Sequence, residues 1–430
     1  MSSDTRFDVL VAGGGAAGCV LAARLSEDGR KVCLVEAGPD YGPYEGGRWP
    51  ADMLDARSLA FSHAWPTDRD DRSQLRARII GGCSAHNACV MLAGTPADYD
   101  EWGHGWSHAV IEPYLRRAER ETRTRAVRRE ELSPWHAAWA EAAGDDAILH
   151  PVNAVGAVRW NAAFAYLDPA RARDNLTILG DTLVDRVLLE GDRAVGLATS
   201  AGDLRAPTVV LAAGAYGSPG ILLRSGLEAG EGLSDHVGVG FRFAGTERLL
   251  AAAEAYERER PVFMAQVTVA LDGGDIFFFP SLEHGADGWE VSAAVFVMKP
   301  RSRGSVHLGG TDPEAPLAID HGFLRDPRDA DALTAAVERF RAMADAIAAD
   351  AGTELVPGRE VSAREHVEAN VRGFFHPVGT CAIGRVVDGD GHVPGVDGLA
   401  VADASVMPTI PRANTNLSTL AVAERLAERI

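Results

Sequence analysis

Val9-Leu10-Val11-Ala12-Gly13-Gly14-Gly15-Ala16-Ala17-Gly18 stands near the start of the chain, and Lys31-Val32-Cys33-Leu34-Val35-Glu36 follows it after a Glu27-Asp28-Gly29-Arg30 turn. Residues 7–12 are rich in Val and Leu and alternate little, as a parallel strand buried on both faces does. The glycines come at once, an apolar helical run occupies residues 19–26, and residues 31–36 form a second strand ending in a carboxylate. Strand, glycine turn, helix and strand make a βαβ unit. Gly13 permits its sharp turn, Gly15 lets backbone approach a pyrophosphate, and Gly18 lets the helix pack against the strand. The helix N-terminus then faces phosphates, and Glu36, with Ala37 beside it, meets ribose hydroxyls. Placement at the N-terminus, with Glu instead of Asp or Arg after the second strand, favours FAD over NAD and over a 2′-phosphorylated nucleotide.

Composition bounds the alternatives. The chain has 430 residues, 46% hydrophobic and 24% charged, enough for one large core or two domains and unlike a disordered or fibrous protein. Its 42 Lys and Arg against 61 Asp and Glu give a net charge of −19, with no basic patch. That balance argues against a nucleic acid partner and against an anionic membrane surface. The N-terminus has no basic segment ahead of its apolar run, which three glycines interrupt, so it reads as neither a signal peptide nor a membrane span. Cys19, Cys33, Cys83, Cys89 and Cys381 show no zinc spacing. Free thiols in a reducing cytoplasm and no metal site are the expectation.

Further along, residues 49–78 are irregular and polar, too long for a simple connection. Residues 112–131 are dense in Arg and Glu and predict a solvated helix with Pro113 in its first turn. Short strands are predicted at 176–179, 184–189 and 194–199, and the apolar run 208–213 returns the chain to the first sheet. Between 261 and 308 the texture changes to alternating and aromatic runs at 265–269, 276–279, 291–298 and 305–308, the pattern of a mostly antiparallel sheet in a second unit. Residues 329–349 form an amphipathic helix with Leu333, Val337, Phe340, Met343, Ala344 and Ile347 on one face. The final helix is read at 417–428, with Asn416 as its cap.

Four blocks outside the fingerprint carry a resemblance. Arg76-Ala77-Arg78-Ile79-Ile80-Gly81-Gly82-Cys83-Ser84-Ala85-His86-Asn87 resembles the first signature of the glucose–methanol–choline (GMC) flavin oxidoreductases. Leu211-Ala212-Ala213-Gly214-Ala215-Tyr216-Gly217-Ser218-Pro219-Gly220 resembles the second. Phe375-His376-Pro377-Val378-Gly379-Thr380-Cys381, and Val401-Ala402-Asp403-Ala404-Ser405-Val406-Met407-Pro408 leading to Asn414-Thr415-Asn416, are similar to its C-terminal motifs. The segment around His86 is most like the choline oxidase branch.

The resemblance implies an α/β fold: a Rossmann-like FAD domain assembled from residues 1–150, 165–245 and 370–430, with an antiparallel-sheet substrate domain at 246–369. It implies FAD as cofactor and His86 as a candidate for a covalent link to the flavin. Gly82, Ser84, Asn87, Ala213, Asp403, Ala404 and Asn416 would lie along the cofactor. His376 falls at the catalytic His and Asn414 at the second active-site position, while His236, after Asp235, reads as structural. The implied reaction oxidises a small alcohol, with hydride transfer to flavin N5, His376 as base, and O2 or another acceptor taking the electrons. A non-redox lyase of the hydroxynitrile lyase type is the alternative, and a flavin-binding protein without catalysis is a third reading. The chain is short for the family, with the loss falling between residues 131 and 165 and in the second unit. Trp65, Trp289, Phe277, Phe278 and Phe279 are available as aromatic walls for a substrate. A monomer or homodimer is expected.

Overall fold

A computed structural model describes residues 7–65, 75–285 and 288–430, so the irregular stretch 49–78 lies in part outside the described residues. The opening βαβ unit forms as read: strand Val9–Ala12, helix Ala16–Leu25 and strand Val32–Val35. Val9–Ala12 pairs in parallel with Val32–Val35 on one side and with Thr208–Leu211 on the other. Leu399–Val401 and Leu176–Leu179 complete a five-stranded parallel sheet. Its three inner strands are fully buried apart from the first residue of Thr208–Leu211, as the lack of alternation requires. Helix Thr415–Ala427 packs on Ala16–Leu25, and Glu424 at their junction is held by Arg24 and Arg117.

A second, antiparallel sheet runs in the order Glu354–Val356, Val237–Phe243, Gly288–Val297, Ile276–Gly285, Val267–Leu271, Ala147–Leu149. It draws in Ala147–Leu149 and Val237–Phe243, which the sequence-based division gives to the cofactor unit. Phe241 and Phe243 leave no choice, because they complete the core around Phe340. The two-residue period decides which rings face where. Phe278 points to the helix Pro327–Ala346 and meets Phe340, whereas Phe277 and Phe279 lie on the opposite face with Phe296. That helix starts two residues earlier than its apolar pattern indicates, because Asp326 caps it and Pro327 occupies its first position.

Two expectations are corrected. The charged helix is His108–Glu121, not 112–131, and Pro113 lies inside it. It stops where the Thr122 hydroxyl bonds the Ala118 carbonyl and Arg123 takes a φ of +54°. The strand Gly304–Leu308 joins no large sheet; it pairs with Glu231–Leu233 and Leu317–Asp320 in a small separate one. Among the described residues, no helix is long and apolar enough to cross a membrane.

Candidate functional site

A cavity of about 1030 Å³ lies between the parallel and antiparallel sheets. That is the upper end of ligand pockets, which span roughly 300–1,000 Å³, and suits a dinucleotide with a substrate beside it.

At one end glycines make the wall. Gly13 has φ +101°, and a Cβ on it would fall 2.7 Å from the Ala212 carbonyl oxygen. A Cβ on Gly82, φ +51°, would fall 2.6 Å from the Gly15 Cα, so two backbones meet here with no room for a side chain. Gly18 does not line the cavity; a Cβ there would strike the Gly13 carbonyl, which is the close helix–strand packing its position predicts. The helix behind this turn begins at Gly15 with no side-chain cap, leaving its first N–H groups toward the cavity wall at Ala16 and Ala17. Glu36 accepts N–H bonds from Gly14 at 2.7 Å and Gly38 at 2.8 Å. Burial pushes its carboxyl up to about 7 against the pull of those bonds, and donors such as ribose hydroxyls would favour the ionised form. Ala37, Ala213 and Ala404 line the same wall. Asp403 accepts from the Gly214 N–H at 2.8 Å, the Ser218 hydroxyl at 2.5 Å and the Ser405 N–H at 2.8 Å, locking the second signature onto the C-terminal block. These residues fit FAD: a side-chain-free cradle at a helix N-terminus, a buried Glu36 carboxyl beside it, and a cavity of ample volume.

Further in, His86 is buried on the cavity wall, and burial together with Arg159 and Arg76 pulls its imidazole down to about 3, so it is neutral. Asn87 lines the cavity and its side chain accepts from the Cys89 N–H. Ser84 does not reach the cavity; its hydroxyl bonds the Gly81 carbonyl and accepts from the Ala162 N–H, so it braces the glycine loop from behind.

The other end holds His376. The segments 234–236 and 374–378 are joined by two backbone bonds between Ser234 and Val378. Asp235 Oδ1 accepts the N–H groups of His376 at 3.0 Å and Phe374 at 3.3 Å, fixing a turn in which Phe375 takes φ +62°. His236 Nε2 lies 2.9 Å from the Pro411 carbonyl oxygen, which can only accept. Burial holds His236 down to about 4, hence neutral, with its one proton on Nε2. Its bare Nδ1 therefore accepts from His376 Nδ1, 3.0 Å away. His376 is neutral too, since burial and His236 lower its pKa well below the usual imidazole value. With the His376 proton committed to Nδ1, the lone pair lies on Nε2, beside the Asn414 amide nitrogen at 3.4 Å. Both side chains line the cavity. Asp235, His236 and His376 also bring three metal-ligating atoms within 4.8 Å of one another, and hydrogen bonds already engage both imidazoles.

The expected cap of the last helix is corrected. The helix is Thr415–Ala427, Asn414 holds the cap position, and its side chain makes no capping bond because it turns to His376. Asn416 lies in the first turn, on the cavity wall, with its amide on Met91 Sδ at 3.2 Å. His236 escaped the sequence reading as a positioning residue: no spacing rule joins it to His376, 140 residues away. Of the aromatic candidates, Trp65 and Phe279 line the cavity, Phe278 faces the other core, and Trp289 stacks on His284.

A dinucleotide cradle and a buried, lone-pair-bearing imidazole on the wall of one cavity are the layout of an FAD-dependent enzyme. Residues 147–238 and 300–423 match the models of GMC oxidoreductase, N- and C-terminal parts, and residues 8–70 match a model described as lycopene cyclase protein. The chain is 31% identical to 5-(hydroxymethyl)furfural oxidase of Methylovorus sp. (strain MP688) over 533 aligned positions, covering 100% of this chain and 99% of that protein. It is 28% identical to alcohol dehydrogenase [acceptor] of Pseudomonas putida, over 99% and 95% of the two chains. An alignment of 533 positions against 430 residues means that the first relative has segments this chain lacks. Pyridoxine 4-oxidase from Mesorbium loti has the same fold, with a TM-score of 0.84 at 24% identity over 98% of each chain. So has a fungal aryl-alcohol oxidase, at 0.76 and 20% over 98% of each. The chain belongs to the GMC oxidoreductase family. The relatives named are oxidases and dehydrogenases, and nothing among them supports the lyase alternative.

Proposed function

We propose that the chain oxidises a primary or secondary alcohol of a small molecule to the aldehyde or ketone, with His376 as the base. The observation that carries this is the hydrogen-bond chain from Pro411 through His236 to His376, which leaves the His376 lone pair on Nε2 in the cavity. Bound FAD supplies the acceptor for the hydride. His376 Nε2 takes the hydroxyl proton, and its Nδ1–H, already donated to His236, holds the ring as charge develops. The Asn414 amide beside Nε2 orients the substrate oxygen and donates to it as negative charge grows there. Asp235 holds the turn that carries His376. The glycines, Glu36 and Asp403 hold the cofactor, and His86 is its point of covalent attachment. The electrons pass on to O2 or another acceptor. We place the enzyme in the cytoplasm, which five unpaired thiols support, as a monomer or homodimer.

The test is anaerobic addition of an alcohol panel to the purified protein. A substrate alcohol bleaches the visible flavin band. A flavin spectrum indifferent to every alcohol, together with full turnover in His376→Ala on a non-redox substrate, would return the assignment to the lyase.

A further inference from the structure

Beyond His376, the cavity floor is the face of the antiparallel sheet that carries even-numbered residues of Val237–Phe243 and Gly288–Val297 and odd-numbered residues of Ile276–Gly285. Pairing arranges it in rows: Gly240, Ala294 and Phe279; then Arg242, Ser292 and Ser281; then Glu290 and Glu283. Next to His376 the surface is apolar and flat. Phe374 stacks on Phe296 with ring centroids 3.9 Å apart and lies 4.5 Å from the His376 ring. Arg372 enters beside it. A Cβ on Gly240 would fall 2.7 Å from Arg372 Nη2, so the guanidinium lies against the bare backbone of that glycine, on the cavity wall.

Arg372 and Arg242 have no hydrogen bond or ion pair from their side chains among the described residues, whereas most other arginines of the chain do. The surrounding protein desolvates Arg372 with no anion to offset it. The nearby imidazole of His366 is neutral and occupied, with Nε2 on the Gly240 carbonyl and Nδ1 facing the Asn370 amide. In a chain of net charge −19 this is a pocket of local positive charge. Glu283 and Glu290, directly opposite each other one row beyond Arg242, would turn an anion back at that limit.

We propose that Arg372 is a specificity-determining residue that selects an alcohol carrying an anionic group, a carboxylate or a phosphate, separated from the carbinol by an apolar, ring-sized body. This rests on the reading of the cavity as the alcohol site. The carbinol would lie at His376, the ring against Phe374, Phe296 and Phe279, and the anion on the fork of Arg372, with Arg242 as a second positive charge.

The test separates the anion site from the reaction. Calorimetry on the flavin-loaded protein compares benzoate and phenyl phosphate with neutral benzamide. The anions should bind about 10- to 100-fold more tightly, and Arg372→Met should erase the difference. Arg372→Lys should keep part of it. Gly240→Ala, which leaves the arginine in the chain but displaces its guanidinium, should also lose it. In turnover, the kcat/KM ratio of 4-(hydroxymethyl)benzoate to benzyl alcohol should exceed about 10 and fall toward 1 in Arg372→Met. Equal binding of benzoate and benzamide, or a preference that survives both Arg372→Met and Gly240→Ala, overturns the proposal. If the anions bind through Arg372 but no alcohol bleaches the flavin, the anion site stands and the alcohol reading falls.

Discussion

The Nδ1 atoms of His236 and His376 face each other at 3.0 Å and share one proton. Because Pro411 fixes the His236 proton on Nε2, the shared proton belongs to His376, whose lone pair is then on Nε2. Two residues 140 positions apart thereby set one tautomer.

His376→Ala should slow flavin reduction by about 10²–10⁴-fold, measured by anaerobic rapid mixing. His236→Ala should lower kcat with a smaller change in KM and displace the acid limb of the pH profile, since the acceptor that engages the His376 Nδ1–H is gone. His236→Asn, which can still donate to Pro411 and accept from His376, should recover part of the rate. Equal loss in both variants with an unmoved pH limb would make His236 merely structural.

Wild-type kcat/KM should stay level through neutral pH. The His376 pKa lies well below its ordinary value of about 6.5 because of burial and His236, so the base is free at pH 7 and is lost only in acid. A profile that falls on going from pH 8 to 6.5 contradicts this.

Asn414→Ala should reduce turnover by roughly 10- to 100-fold with little change in melting temperature, because the side chain makes no capping bond. Asn414→Asp places a carboxylate beside Nε2 and should raise the acid limb of the pH profile. A fall of many degrees in melting temperature for Asn414→Ala would return the residue to a capping role.

Asp235 stores instability. Burial pushes its carboxyl from 3.8 up to about 6, and among the described residues its second oxygen has no partner. A raised carboxyl favours the folded state at pH below about 4, and that contribution is lost as pH rises through 6. Asp235→Asn should therefore be more stable than wild type at pH 8 by about 1–3 kcal/mol, with the gap closing toward pH 4. Chemical denaturation at the two pH values measures it, and a constant gap contradicts the pKa.

Acid precipitation should leave flavin colour in the wild-type pellet and release it in His86→Ala. Glu36→Ala, which strands the Gly14 and Gly38 N–H groups, should purify with reduced flavin content and lower stability. Free flavin in the supernatant from wild type removes the covalent link.

Local sequence determined the cofactor half of this protein. A strand, Gly13-x-Gly15-x-x-Gly18 and a second strand ending in Glu36 encode a phosphate cradle within 30 residues, because turn, helix start and carboxylate are neighbours in the chain. Alternation at Phe277, Phe278 and Phe279 likewise encodes two opposite faces, although which face meets the cavity is set only by the helix carrying Phe340. The motifs containing His376 and Asn414 named those residues. Tertiary structure decided what they can do. The tautomer of His376 depends on His236 and Pro411, the freedom of Asn414 depends on a cap bond not made, and the place of Arg372 depends on a glycine in a paired strand. Each is a contact between distant segments, and a linear pattern carries no record of which backbone carbonyl will face which imidazole.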